Sequence, residues 1–237
     1  MLEQLGDLLA DGGIVYNPGG GTHHGRPDHA AGFCYLNDPV LAIKALQARG
    51  LRRIAYVDID AHHCDGVEAA FHGAESVLMI STHEEGRWPF TGALEEMILP
   101  MVAAHRPEAL VLQCGADAVA EDPLARLALS NNSHWRAVAA LKTMAPRLLV
   151  LGGGGYNPWT VGRLWSGVWA TLNGHEIPGR LPGAGRSVLA GLSWSRRKGD
   201  RPEHLVETLR DPPREGPVAP EVRTRVAALR ARGRVWA

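Results

Sequence analysis

Four short apolar runs along the first two thirds of the chain constrain its fold more than any other feature. They are Ile54-Ala55-Tyr56-Val57, Val77-Leu78-Met79-Ile80, Ala109-Leu110-Val111-Leu112 and Leu148-Leu149-Val150-Leu151. Each is continuous rather than alternating, which suits a strand covered on both faces, the situation of strands in parallel sheets. Helical patterns separate the runs. Residues 38–49 repeat apolar positions at helical spacing and end at Gly50, a residue suited to a C-terminal cap. Residues 93–104 form a second segment. Ser133 is the expected cap of a third, ending near Ala145 before Pro146. Asn157-Pro158 opens a fourth that reaches Leu172, with proline at its first helical position. Strand–helix alternation of this kind predicts an α/β fold, a mostly parallel sheet with helices on both faces.

After residue 174 a series of prolines from Pro178 to Pro220 interrupts the pattern, and one helix is expected at about 219–232. The predicted division is a body at 1–175 and a Pro/Arg-rich extension at 176–237. Charge follows the same division. Residues 1–179 hold 12 Lys/Arg against 19 Asp/Glu, whereas residues 180–237 hold 13 against 6. The formal net charge is zero, so the bulk balance calls for neither nucleic acid nor membrane. The basic extension reads as a solvated face, with a docking patch for an acidic partner as the other reading. Cys34, Cys64 and Cys114 are odd in number and form no Cys-x-x-Cys pair, which predicts no disulfides and a reducing cytoplasm. No apolar run approaches the roughly 18 residues of a membrane span. Met1-Leu2-Glu3-Gln4 lacks the start of a signal peptide.

The chemistry collects where strands end. Asp58, Asp60, His62, His63 and Asp65 follow the first run, Gln113 to Asp117 follow the third, and Gly152-Gly153-Gly154-Gly155-Tyr156 follows the fourth. Ligands of open α/β sheets bind outside the carboxyl ends of strands. Asp60 and His62 lie two apart, so both can face one metal ion, and Asp117 from another strand end completes a two-carboxylate, one-imidazole set suited to zinc. Two aspartates cancel the charge of a divalent cation, so a separate general base is needed. The tandem His23-His24 in a Gly-rich loop supplies one, and Asp58 and Asp65 can orient the rings. Taken alone, Tyr156 reads as a packed tyrosine after a turn. Beside the metal cluster it reads as a phenol that steadies a developing oxyanion. The oxygen-rich ligand set tolerates iron(II) as well as zinc.

Gly32-Phe33-Cys34-Tyr35-Leu36-Asn37-Asp38 resembles the GFCxxND signature of histone deacetylases and their bacterial relatives. Asp58 to Val67 resembles their DxDxHHGDG block, with Cys64 where the family has glycine. Gln113 to Asp117 and Gly152 to Tyr156 resemble the remaining two blocks, in the family's order. The stretch from Asp122 to Asn132 is most similar to the prokaryotic acetoin-utilisation branch.

The resemblance implies an arginase/deacetylase-like three-layer fold and removal of acetyl groups from acetyl-lysine in proteins. An acetylated small amine of the polyamine type is the alternative substrate, and a remnant that only binds ligand or partner is the alternative to catalysis. It implies that Asp60, His62 and Asp117 hold the metal and that His24 is the general base. His23, supported by Asp58, would assist the leaving amine, and Asp65 would support His24. Tyr156 would polarise the carbonyl. Gly32, Phe33, Trp88 and Gly154 would line an acyl-lysine channel. Asp58 and Ser81 fall where the family holds a structural potassium ion. The resemblance also implies an incomplete fold, because the family's domain starts earlier and has a further loop and strand near Phe90-Thr91-Gly92-Ala93.

Overall fold

A computed structural model describes residues 2–83, 94–195, 201–214 and 220–231. The four apolar runs form strands at Ile54–Asp58 (β2), Val77–Ser81 (β3), Ala109–Gln113 (β4) and Arg147–Leu151 (β5). A fifth strand, Gly13–Asn17 (β1), precedes them. The apolar pattern does not announce it, because β1 is only partly covered and lies at the end of the sheet beside β5. The order is β1-β5-β4-β2-β3, and every pairing is parallel.

Side chains alternate between the two faces along each strand, and each face has its own core. Ala55, Val57, Leu110, Leu112, Leu148 and Val150 point to one face. There they meet Leu99–His105 (α4), Asn131–Leu141 (α5) and Pro158–Asn173 (α6) through Val102, Val138, Leu141, Leu164 and Val168. Ile54, Tyr56, Ala109, Val111, Leu149 and Leu151 point to the other. There they meet Leu2–Asp11 (α1), Asp38–Ala48 (α2) and Asp65–Phe71 (α3) through Leu5, Leu8, Ile43, Leu46, Val67 and Phe71. Each Val, Leu, Ile or Phe among them contributes roughly 1.5–3 kcal/mol over its exposed state. Covering on both faces is the physical reason for continuous apolar runs.

Three expectations need correction. The second helical segment opens with a π-helical turn, Leu94–Ile98, before α4 begins. Helix α5 starts at Asn131 after Ser130, not at Ser133. The Asn131 N–H is taken by the Asp211 carboxylate at 2.9 Å, a cap supplied from 80 residues away and so invisible to local pattern. Among its described residues, the segment after residue 174 contains three helices rather than one: Gly183–Gly191 (α7), His204–Glu207 (α8) and Pro220–Ala231 (α9). It is tied to the body. Leu205 is fully buried, Arg163 of α6 bonds the Asp211 carboxylate at 2.6 Å, and Val226 packs against Met97. The pattern break at Phe90–Ala93 lies outside the described residues. Among the described residues, no helix is long and apolar enough to cross a membrane.

Candidate active site

Because all strands run the same way, their carboxyl ends share one edge of the sheet, and the loops leaving that edge converge. The β1–α2 loop brings His23 and His24. The β2–α3 loop brings Asp60 and His62, the β4–α5 loop brings Asp117, and the β5–α6 loop brings Gly154 and Tyr156. Together with Gly32 and Phe33 they line a cleft of about 200 Å³.

At its floor, ligand atoms of Asp60, His62 and Asp117 lie within 4.8 Å of one another. The His62 Nδ1 sits 2.9 Å from Asp117 Oδ2 and 3.1 Å from Asp60 Oδ1. Both carboxylates are buried, whereas the His62 side chain is 38% exposed. Burial and the neighbouring Asp60 charge hold the Asp117 carboxyl above the usual carboxylate range. Hydrogen bonds donated to Asp117 and then to Asp60 push His62 up to about 10, against the effect of burial. Two buried anions that draw in positive charge at a shared point are what a divalent cation satisfies, and two carboxylates with one imidazole are a zinc-type donor set. The residues therefore fit a metal ion.

Neighbouring groups hold these side chains in place. Gln113 donates to Asp60 Oδ2 at 2.8 Å, and its own oxygen accepts the Gly115 N–H. Asp117 Oδ1 accepts the Ala61 N–H at 3.0 Å. Gly154 donates its N–H to Asp60 Oδ2 at 2.9 Å, while its carbonyl accepts the Ala116 N–H. A Cβ on Gly154 would run into the Asp117 carboxylate, so only glycine lets the two loops approach this closely.

The tandem histidines stand beside the Asp60, His62 and Asp117 cluster. His23 Nδ1 is 2.8 Å from Asp58 Oδ2, and His24 Nδ1 is 2.6 Å from Asp65 Oδ1. Asp58 also accepts the Tyr56 hydroxyl and the Asp60 N–H, and Asp65 accepts Arg26 at 2.6 Å. Both carboxylates thus act as acceptors, which assigns a hydrogen to each Nδ1. The two Nε2 atoms are 3.1 Å apart. That contact needs one hydrogen, so one ring donates and the other presents a lone pair.

The rings differ in setting. His23 and Asp58 are buried, and the charges of Asp58, Asp60 and Asp117 overcome burial to push His23 up to about 9. His24 is more open, and its partner Asp65 is 37% exposed and shared with Arg26. Tyr156 is pushed up to about 12 by burial and then by Asp117 and Asp60, which keeps its phenol a donor at neutral pH.

Phe33 is 82% exposed and held at φ 62°, its ring 6.1 Å from that of Tyr156 at the mouth of the cleft. Trp88 lies outside the described residues. Asp58 and Ser81 are register partners across β2 and β3, and the Ser81 hydroxyl lies 3.0 Å from His83 Nδ1. Burial and the nearby Asp58 charge raise the Cys64 thiol, so it stays protonated.

Sequence pattern did not assign the anchors of the histidine loop. Asn37 caps α2 and donates to the carbonyls of His23 and Gly25, both at 3.0 Å. Asp38 accepts the N–H groups of Gly21 and Thr22 and the Thr22 hydroxyl. Their place at the end of the GFCxxND block was the available signal.

Comparison with known proteins agrees with this geometry. The family model for the histone deacetylase domain matches residues 3–98 and 92–172. Putative histone deacetylase 2 of Caenorhabditis elegans is 37% identical over 201 residues, 72% of this chain and 39% of that protein. Human histone deacetylase 1 is 36% identical over 200 residues, 71% of this chain and 41% of that protein. The chain therefore spans about two fifths of the length of these curated relatives. The crystal structure of an HDAC homolog from Aquifex aeolicus superposes with a TM-score of 0.82 at 30% identity, covering 95% of this chain and 70% of that one. An HDAC homolog complexed with SAHA gives 0.81 at 32% identity, with the same coverage. Since the family model spans the loops of all four blocks that build the cleft, the chain belongs to the histone deacetylase domain family.

Proposed function

We propose that this chain is a metal-dependent deacetylase that hydrolyses the amide of acetyl-lysine in proteins. The observation that carries the reading is one juxtaposition. A two-carboxylate, one-imidazole set lies within 4.8 Å at the floor of a cleft whose walls hold two carboxylate-backed histidines and a tyrosine. Asp60, His62 and Asp117 would hold the cation, zinc in our reading. When bound, it supplies Lewis-acid polarisation of the amide carbonyl and of the attacking water.

The remaining steps belong to side chains of this chain. His24, with Nδ1 committed to Asp65, turns its Nε2 toward the cleft and accepts the proton of the attacking water. His23, buried against Asp58, carries the positive charge of the pair and donates a proton to the leaving amine. The Tyr156 phenol donates to the carbonyl oxygen as it gains charge, an interaction worth about 10²–10³ in rate for a single donor. Gly32 and Phe33 line the entrance and guide the acyl-lysine stem. The stretch Asp122–Asn132 supports placement near the acetoin-utilisation branch.

The test is hydrolysis of an acetyl-lysine peptide by zinc-loaded protein, with His24→Ala as control. Turnover is expected in the parent, and a loss of about 10²-fold or more is expected in the variant at unchanged zinc content. Folded, zinc-bound parent protein that gives no turnover would move the reading to a ligand-binding protein.

A further inference from the structure

The rate contribution assigned to Tyr156 depends on where its ring sits. Main-chain hydrogen bonds hold the preceding glycines at Gly152 and Gly154, the latter between the Asp60 carboxylate and the Ala116 N–H. Gly152 to Gly155 carry no side chains, and Gly153 and Gly155 lie at φ 150° and 149°, conformations open to glycine. A loop of this kind takes its position from outside contacts. At Tyr156 itself that contact is the buried carboxylate of Asp122, whose Oδ2 accepts the Tyr156 N–H at 2.7 Å. Its Oδ1 accepts the Leu124 N–H at 3.0 Å. One residue earlier, the Glu121 carbonyl accepts Asn157 Nδ2 at 2.8 Å, and the Asn157 Oδ1 in turn caps α6 through the Trp159 N–H at 3.0 Å.

The segment that supplies these acceptors is itself fixed. The Ala120 N–H donates to the Leu129 carbonyl at 3.0 Å, and the Leu129 N–H donates to the Ala118 carbonyl at 3.2 Å, which closes the β4–α5 loop. The same loop carries Asp117 at its start. The loop that carries Asp117 and the loop that carries Tyr156 are therefore joined at Asp122.

We infer that Asp122 is a positioning residue of the reaction: through its hydrogen bond to the Tyr156 backbone it fixes the phenol relative to the metal-ligand set. It touches neither substrate nor metal. The inference rests on the deacetylase reading for its kinetic consequence and on geometry alone for its structural one.

Asp122→Asn tests it with little change of shape. The amide keeps one acceptor oxygen, so only one of the two N–H groups can be satisfied. In the zinc-loaded protein, kcat on an acetyl-lysine peptide is expected to fall about 10–100-fold, as for a misplacement of order 1 Å. KM and zinc content should stay nearly unchanged. In a Tyr156→Phe background the same substitution should have no further effect, because the group it positions is gone.

A second readout does not depend on activity. The four tyrosines can be replaced with 3-fluorotyrosine, and the ¹⁹F resonance of Tyr156 assigned by its loss in Tyr156→Phe. In Asp122→Asn that resonance should shift or broaden while the other three stay in place. A resonance that moves in a protein without turnover would uphold the positioning role and reject the deacetylase reading. An unmoved Tyr156 resonance, or a kcat penalty that multiplies with that of Tyr156→Phe, would overturn the inference.

Discussion

Asp117 shows what one carboxylate does to the energetics of the cleft. It is fully buried beside Asp60, with Oδ1 on the Ala61 N–H and Oδ2 on His62. Without a cation the two anions repel in a medium that screens poorly, and with one they are ligands. Asp117→Ala should therefore act in opposite directions in the two states. The metal-free variant should melt at or above the metal-free parent, since a buried like-charge contact is removed. Addition of zinc should raise the melting temperature of the parent and leave the variant unmoved. At free zinc about 1,000 times the dissociation constant, that linkage amounts to about 4 kcal/mol. Thermal melts with and without zinc, together with metal analysis after dialysis, check both signs. A variant that keeps one zinc per chain would remove Asp117 from the ligand set.

Helix α5 underlies the metal loop through His134, which is buried and sits with Nε2 2.9 Å from the Gly115 carbonyl, two residues before Asp117. Burial pushes His134 down to about 4, from 6.5 in the unfolded chain. The unfolded state therefore binds more protons between these values. The resulting stability is fully present above pH 6.5, declines as pH falls toward 4, and does not fall further below that. The total is of order 3 kcal/mol. His134→Gln keeps a donor and lacks the titration, so its stability should run flat through this window apart from groups shared with the parent. Urea midpoints of both proteins at pH 7.0, 5.5 and 4.5 give the answer. A parent-minus-variant difference that does not change with pH would show that His134 is not the group.

At the scale of the whole molecule, the segment after residue 174 behaves as part of the body. Asp211 joins two of the helices that leave the cleft. It caps α5 through Asn131 and pairs with Arg163 of α6, whose side chain is fully buried. Asn131 returns the contact by donating to the Leu209 carbonyl at 2.7 Å and accepting the Asp211 N–H at 3.0 Å. Removing one member of a buried ion pair strands the other, at a cost of about 3–5 kcal/mol. Asp211→Ala should lose that much in urea unfolding. The double variant Arg163→Met, Asp211→Ala should recover a good part of it, because no charge is left unpaired. A single variant within 0.5 kcal/mol of the parent would show the tail to be a passive extension.

Local chemistry alone made much of this protein legible. Continuous apolar runs required strands covered on both faces, and four of the five strands follow from that requirement. Asn157-Pro158 marked the start of α6 because cap and first-turn proline act within a single turn. Asp60, His62, Asp117, the two histidines, their carboxylates and Tyr156 stood out because no core packs so many titratable groups at strand ends. The fold brings the first five and Tyr156 to one cleft, with Asp58 and Asp65 behind the histidines. What stayed hidden depended on contacts between distant residues. Strand β1 is half covered, so its pattern is weak. Helix α5 begins at Asn131 only because a carboxylate 80 residues later supplies its cap. Asp122 is an ordinary loop aspartate in sequence and becomes the holder of Tyr156 only once the β4 and β5 loops lie side by side. The sequence by itself determined four buried strands, the helix that follows Asn157-Pro158 and the chemical inventory, because propensity, burial pattern and ligand type act over a few residues. The tertiary structure alone decided which carboxylate serves which group, because a hydrogen bond across the fold depends on where two loops meet.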